Sequence, residues 1–241
     1  MSAPPAITVS GHHALSGQAL FAPVSLRFGA GQWTCILGPS GIGKTTLLRT
    51  VAGLDCAGTF VGRVTPSDGR PIDGRASFMA QSDLLLPWLS ILENAVLGAR
   101  LRGQAPDLDR ARRLLARIGL GAHLSARPSA LSGGMRQRAA LARTLLEDRP
   151  VVFLDEPFSA LDAATRADMQ TLAAEHLAQK TVVLVTHDPA EAIRLGHQVI
   201  LLTQEGARIW PVPEARTPRD AYAPDSVAAQ AGLMALLQGR A

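Results

Sequence analysis

Thr34-Cys35-Ile36-Leu37-Gly38-Pro39-Ser40-Gly41-Ile42-Gly43-Lys44-Thr45-Thr46 is the stretch whose reading decides the fold. Four apolar or β-prone residues feed a loop of the pattern G-x-x-x-x-G-K-[ST], and an apolar helical pattern runs from there through Val51. Closely spaced glycines let backbone N–H groups converge on phosphate oxygens at a helix N-terminus, where aligned peptide dipoles already favour an anion. Residues Gly38 to Thr46 are therefore the candidate nucleotide-binding set, with Lys44 a point charge for the β/γ-phosphates and Thr45 a hydroxyl for Mg²⁺. Composition singles out Lys44: only Lys44 and Lys180 are lysines, and the other 22 basic residues are arginines. A compact ammonium on a flexible stem suits a phosphate cradle better than a planar guanidinium fork.

A second apolar run, Val151-Val152-Phe153-Leu154, ends in Asp155-Glu156. That pattern reads as a buried parallel strand delivering two acids at its C-terminal end. Asp155 is the metal candidate, and Glu156 is left to orient and polarise an attacking water. The plainer alternative has both acids capping a helix begun after Pro157.

Leu131-Ser132-Gly133-Gly134, placed shortly before that strand, completes a resemblance to the ATP-binding subunit of ABC transporters over roughly residues 5–205. The resemblance implies an α/β fold: a P-loop NTPase ABC ATPase core with a parallel sheet, an N-terminal antiparallel β subdomain and a helical subdomain inserted at about residues 86–135. Residues 206–241 are then a short C-terminal tail. It further implies ATP and Mg²⁺ as ligands, Ser132, Gly133 and Gly134 serving the γ-phosphate of ATP held by a second copy, and hence a homodimer. Gln81, after Ala76 to Ala80, resembles the glutamine that contacts Mg²⁺ or the lytic water. His187, ending Val182 to Thr186, resembles the switch histidine, and Ser159-Ala160-Leu161-Asp162 the loop along the dimer interface. The implied catalytic residues are thus Glu156, His187 and Gln81, and the implied metal set Thr45, Gln81 and Asp155. The other five histidines read as surface or packing residues.

One position departs from the family. Where an aromatic usually stacks on adenine, ungapped counting lands on Leu15, with His12 and His13 nearby. Either Leu15 covers the base by apolar contact or His13 stacks on it, and both hold adenine less firmly than Tyr.

Residues 82–97 include Leu85-Leu86-Pro87-Trp88 and resemble importers of the nitrate, sulfonate, taurine and thiamine-precursor group. There this region receives a helix of the membrane subunit, which makes Trp88 a docking anchor; packing of Leu86, Trp88 and Leu89 inside the subdomain is the equal alternative. The resemblance implies permease subunits and, indirectly, an extracytoplasmic substrate-binding protein. A soluble ABC ATPase of DNA repair or translation is the second reading, although no coiled-coil insertion or tandem cassette fits in 241 residues. A P-loop kinase leaves the Ser-Gly-Gly signature and His187 without roles.

Composition agrees. With 47% apolar residues the chain can bury one α/β core. No stretch approaches the roughly 18 to 20 apolar residues that cross a bilayer, and Met1 to Pro5 does not resemble a secretory signal. The expected location is cytoplasmic, peripheral on the inner face of the membrane. Cys35 and Cys56 form no disulfide framework. Net charge is +4, but the arginines are dispersed, so no nucleic acid is expected. Arg110, Arg112, Arg113 and Arg117 read as the solvated face of a helix ended by Gly119. After prolines 211, 213, 218 and 224, Asp225 is expected to cap a short amphipathic helix through Leu237.

Overall fold

The computed structural model describes residues 3–238. The chain forms two compact units: one comprises residues up to Ala76, Pro150–Glu156 and the chain from Ala178 onward, the other Ser77–Arg149 and Pro157–Leu177.

In the first unit, β1 (Ile7–Leu15) pairs antiparallel with β2 (Gln18–Ala19), β3 (Val24–Phe28) and β5 (Thr59–Pro66), and β5 runs beside β1 from Ala14↔Thr59 to Ile7↔Pro66. Ile7, Val9, Val24, Leu26 and Phe28 are buried and alternate with exposed residues, the period-2 signature of a sheet covered on one face. Between β3 and β5 the chain makes β4 (Trp33–Leu37), buried throughout, and α1 (Lys44–Ala52).

The second unit opens with β6 (Ala76–Met79) and is otherwise helical. It holds α2 (Ile91–Ala95), α3 (Leu97–Leu101), α4 (Leu108–Arg117), α5 (Gly133–Leu146) and, after the excursion through β7 (Val151–Asp155), α6 (Ala163–His176). Ser90 and Glu93 form a reciprocal capping box on α2. Ala111, Leu114 and Leu115 bury the apolar face of α4, and Gly119 adopts the left-handed conformation just beyond its end. The arginine-rich face is solvated as its periodicity predicts. Asn94 is fully buried: its side chain donates to the carbonyls of Leu86, Leu89 and Ser90 and accepts from the Leu86 N–H (2.7–3.2 Å). It fixes the segment that presents Trp88, which is 66% exposed, while Leu85 is buried. Interior packing of Trp88 is thereby excluded.

The first unit resumes with β7, then β8 (Thr181–Val185), α7 (Pro189–Leu195), β9 (Gln198–Thr203), β10 (Gly206–Trp210) and α8 (Pro224–Leu237). Strands β10, β9, β4, β8 and β7 lie side by side in that order, parallel except for β10 against β9. Val151–Asp155 and Thr181–Val185 are buried at every residue, which is why they read as continuous apolar runs rather than alternations. The register sets Ile36 and Asp155 on either side of Val185. The three strands therefore release their next residues at the same edge: the glycine loop after β4, Glu156 after β7 and Thr186-His187 after β8. This is the carboxyl-end crevice where open α/β sheets bind ligands.

One expectation is corrected and one alternative is set aside. Helix α8 begins at Pro224, with Pro in its first turn and Ala223 at the cap position without a side-chain bond; Asp225 lies inside the first turn and is not the cap. Proline's fixed φ pre-organises that start without a capping oxygen. Nor do Asp155 and Glu156 cap a helix. Asp162 caps α6, accepting from the Thr165 N–H at 3.0 Å.

Candidate functional site

Gly38, Gly41 and Gly43 all have positive φ, and a Cβ on Gly38 would stand 2.2 Å from the Leu202 carbonyl oxygen. Any other residue at Gly38 pushes the loop off the sheet edge. Gly43 occupies the N-cap of α1 and offers no side chain, so the first-turn N–H groups face the loop without a side-chain acceptor. Lys44 Nζ donates to the carbonyls of Gly38 and Pro39, both at 2.8 Å, and so lies folded across the loop. Burial lowers its ammonium pKa, opposed by the nearby Glu156 and Asp155 carboxylates.

Thr45 Oγ1 donates to Asp155 Oδ1 at 3.2 Å, and Asp155 is 2% exposed. Burial raises the Asp155 carboxyl pKa; the Thr45 hydrogen bond opposes this, Glu156 adds to it, and Lys44 and Arg49 oppose it. One residue on, Glu156 has φ +49°, uncommon for a side chain with a Cβ, and its N–H is held by the Val185 carbonyl at 2.9 Å. Its Oε2 lies 3.4 Å from His187 Nδ1, with the imidazole side chain 65% exposed and that of Glu156 19%. The first unit thus brings together Gly38 to Thr46, Asp155, Glu156 and His187.

In the second unit, Gln81 follows β6 in an exposed loop. Ser132 is the N-cap of α5, its Oγ accepting from the Met135 N–H at 3.3 Å, and Gly133 and Gly134 open the helix. A Cβ on Gly134 would approach the Ala160 carbonyl to 3.2 Å. Gln137 on α5 is 6% exposed; it donates to Ser159 Oγ (3.2 Å) and accepts from the Ala160 N–H (2.8 Å), binding the signature helix to the Ser159–Asp162 loop. Arg136 and Arg143 on α5 reach the segment just after Gln81: Arg136 to the Asp83 carboxylate at 3.0 Å, Arg143 to the Asp83 and Leu84 carbonyls at 2.7 and 2.8 Å.

A family model described as ABC transporter matches residues 21–159. The chain belongs to the ABC transporter family. Among relatives of this ABC protein, the aliphatic sulfonates import ATP-binding protein SsuB 1 of Rhodococcus jostii is 46% identical over 197 residues, 80% of this chain and 77% of its own. SsuB 2 of Burkholderia cenocepacia is 40% identical over 98% of this chain and 88% of its own. An ABC transporter ATP-binding protein of Haemophilus influenzae is also 40% identical, over 87% and 88%. Among solved structures, a dimeric post-hydrolysis state of the ATP-binding cassette MJ0796 bound to ADP and Pi superposes with a TM-score of 0.73 at 28% identity, covering 89% of this chain and 99% of that one.

Beside the glycine loop of this ABC protein lies an open cleft of about 730 Å³, lined by Leu15, Gln18, Ala19 and Leu20, by Pro39–Ile42 and by Thr203–Glu205. Leu15 is 42% exposed there. The Ala22 N–H donates to the Gln204 carbonyl at 2.9 Å and ties the β2–β3 connection to the β9–β10 turn. His13, in contrast, is 1% exposed and donates from Nε2 to the Ala57 carbonyl at 2.7 Å. It is a satisfied interior histidine, and stacking by it is excluded. Sequence reasoning missed Gln18, Gln204 and Glu205 because cleft walls assembled from two distant turns carry no local pattern.

The donor set fits a Mg²⁺-nucleotide. Two hard oxygen atoms of the kind Mg²⁺ takes, Thr45 Oγ1 and Asp155 Oδ1, meet at 3.2 Å, and the ammonium that would neutralise phosphate lies against two carbonyls of the loop itself.

Proposed function

We propose that this chain is the ATP-hydrolysing subunit of a membrane importer for small organic sulfonates. Two copies work beneath permease subunits on the inner face of the membrane, and an extracytoplasmic binding protein delivers the solute. The observation that carries this reading is the convergence of the glycine loop, Asp155, Glu156 and His187 at one sheet edge, in a chain whose relatives are named for sulfonate import. No helix among the described residues is long and apolar enough to cross a membrane; in this reading the permease subunits supply the transport path.

In this reading residues 5–205 act as one ATP-binding domain with the helical subdomain inserted at about 86–135, and 206–241 as a tail. The loop from Gly38 to Gly43 and the first turn of α1 hold the phosphates by backbone N–H groups, and Lys44 turns from its loop carbonyls to the β/γ-phosphates. Thr45, Asp155 and Gln81 would hold Mg²⁺, which when bound neutralises charge on the β- and γ-phosphate oxygens. Glu156 accepts the proton of the attacking water, a role its carboxylate can fill because Asp155 takes the metal. His187 contacts the γ-phosphate and fixes the Glu156 side chain. Ser132, Gly133 and Gly134 of a second copy close the site from the other side. Closure favours ATP over its products, and that difference in affinity is the free energy delivered to the permease. Trp88 is the docking anchor.

The test is made in the native cell. Removing the chain should abolish growth on an aliphatic sulfonate as sole sulfur source while growth on sulfate continues; the parent chain restores it and Glu156→Gln does not. The purified Glu156→Gln protein should bind ATP normally, hydrolyse it about 10²–10⁴-fold more slowly, and accumulate as an ATP-bound dimer. A tagged chain recovered only from the soluble fraction, with sulfonate growth unaffected by its loss, would instead favour a cytosolic ABC ATPase.

A further inference from the structure

His187 projects an imidazole that is largely exposed, so side-chain packing does little to decide where it lies. Its position is set by the backbone on either side. Thr186, 1% exposed, donates its N–H to the Ile36 carbonyl of β4 at 3.2 Å and its hydroxyl to Glu191 Oε2 at 2.6 Å. The same hydroxyl oxygen accepts the Asp188 N–H at 3.0 Å. Both neighbours of His187 are thereby tied to one hydroxyl group, and that group is anchored by a carboxylate in the first turn of α7.

Glu191 is 5% exposed. An acid in the first turn of a helix gains from the helix dipole, but an exposed one gains it without the cost of dehydration. This carboxylate accepts from the residue immediately before His187, beside the hydrolytic cluster, and so bears on where the imidazole lies. Helix α7 is also fixed at its far end: Arg219 donates from Nη1 to the Ile193 and Gly196 carbonyls, both at 2.7 Å. Glu191 thus holds Thr186 from a helix whose C-terminal end is itself bonded to Arg219.

We infer that Glu191 is a positioning residue for hydrolysis, acting through Thr186 to hold the backbone from which His187 reaches Glu156. The inference rests on the proposed role of His187, and the experiment separates the two. Single-turnover ATP hydrolysis by the purified full chain is measured for Thr186→Val, Thr186→Ser, Glu191→Gln, Glu191→Ala and His187→Ala, alone and in pairs, with kcat and KM for ATP also taken for each single variant. Thr186→Val keeps the side-chain shape and removes the hydroxyl; it should lower kcat at least about tenfold with KM for ATP within about threefold, a split that marks loss at the transition state. Thr186→Ser and Glu191→Gln, which keep a donor and an acceptor, should stay within about threefold of the parent, while Glu191→Ala falls with Thr186→Val. In the His187→Ala background, Thr186→Val and Glu191→Ala should cost almost nothing further, since residues acting through one group are not additive. Losses that add in full would overturn the inference, as would a Thr186→Val protein with parental kcat. If His187→Ala itself hydrolyses ATP at the parental rate, the assignment of His187 falls and the inference falls with it. Should Glu191→Ala fail to fold, Thr186→Val with its serine rescue decides alone.

Discussion

Asp155 shows at the scale of one residue how function strains the fold. Its carboxyl is buried at the strand end, and burial raises its pKa above the ordinary 3.8. A raised acid pKa means that the folded protein binds a proton more readily than the unfolded chain, so Asp155 contributes stability at low pH that is lost as pH rises from the unfolded value through the folded one. Asp155→Asn is neutral at every pH and keeps an oxygen for Thr45. The nucleotide-free variant should therefore melt above the parent at pH 7, by about 2–4 °C for each kcal/mol relieved, and the gap should close towards pH 4; its ATP hydrolysis should be lost. Thermal melts across that range check the sign, and a variant that melts lower at pH 7 would remove the account. Leu15 is the other informative residue. It stands at the cleft beside the glycine loop where a stacking ring is expected, and a leucine side chain covers a purine without distinguishing one base from another. ATP should be preferred to GTP only weakly, and Leu15→Tyr should raise the ratio of kcat/KM values for ATP over GTP. An unchanged ratio would mean that other cleft residues already select the base.

At the scale of elements, the central strands were legible because burial on both faces demands uninterrupted apolar runs, and each run ends in residues no buried strand tolerates unpaired: the glycine loop, Asp155-Glu156, Thr186-His187. Helical periodicity made α4 legible from its arginine face. What stayed hidden is held by partners without a sequence pattern. Strand β10 joins the edge of the sheet with three exposed residues among its five, so no apolar run announces it. Arg219 is invisible for a related reason, since all its partners are backbone carbonyls. It is 5% exposed, its guanidinium donates to Pro213 (2.9 Å), Ile193 and Gly196, and its N–H to the Arg194 carbonyl at 2.8 Å. Burial lowers its pKa. The tail thus caps the last turn of α7 with a cation at the negative end of the helix dipole. Arg219→Ala leaves three carbonyls without these donors and should cost about 2–4 kcal/mol, read as a lower urea midpoint at unchanged slope. Arg219→Lys should recover only part, because an ammonium cannot reproduce the fork that spans these carbonyls. A midpoint equal to the parent's would show the tail to be dispensable to this end of α7.

The whole molecule is a pair of chains in the proposed mechanism, and the pairing makes a prediction that no single-chain ATPase shares. If each site combines the glycine loop of one copy with Ser132, Gly133 and Gly134 of the other, then Lys44→Ala and Ser132→Arg damage opposite halves of the same site. Each homodimer carries two broken sites and should be inactive. A mixed dimer places both defects in one site and leaves the other wholly intact. Random exchange makes half the dimers mixed, so the mixture should regain about one quarter of the parental sites, while either variant diluted with a Lys44→Ala/Ser132→Arg double variant regains none. The recovered rate should fall away on dilution as the dimers part, since it belongs to the pair and not to the chain. If every site were completed within one chain, mixing would restore nothing at any concentration, and the dimer would be a scaffold for two independent ATPases. The arithmetic also bears on transport: a mixed dimer with one working site asks whether one hydrolysis per closure is enough to move solute, and growth on a sulfonate by cells carrying only the two damaged chains would answer that it is.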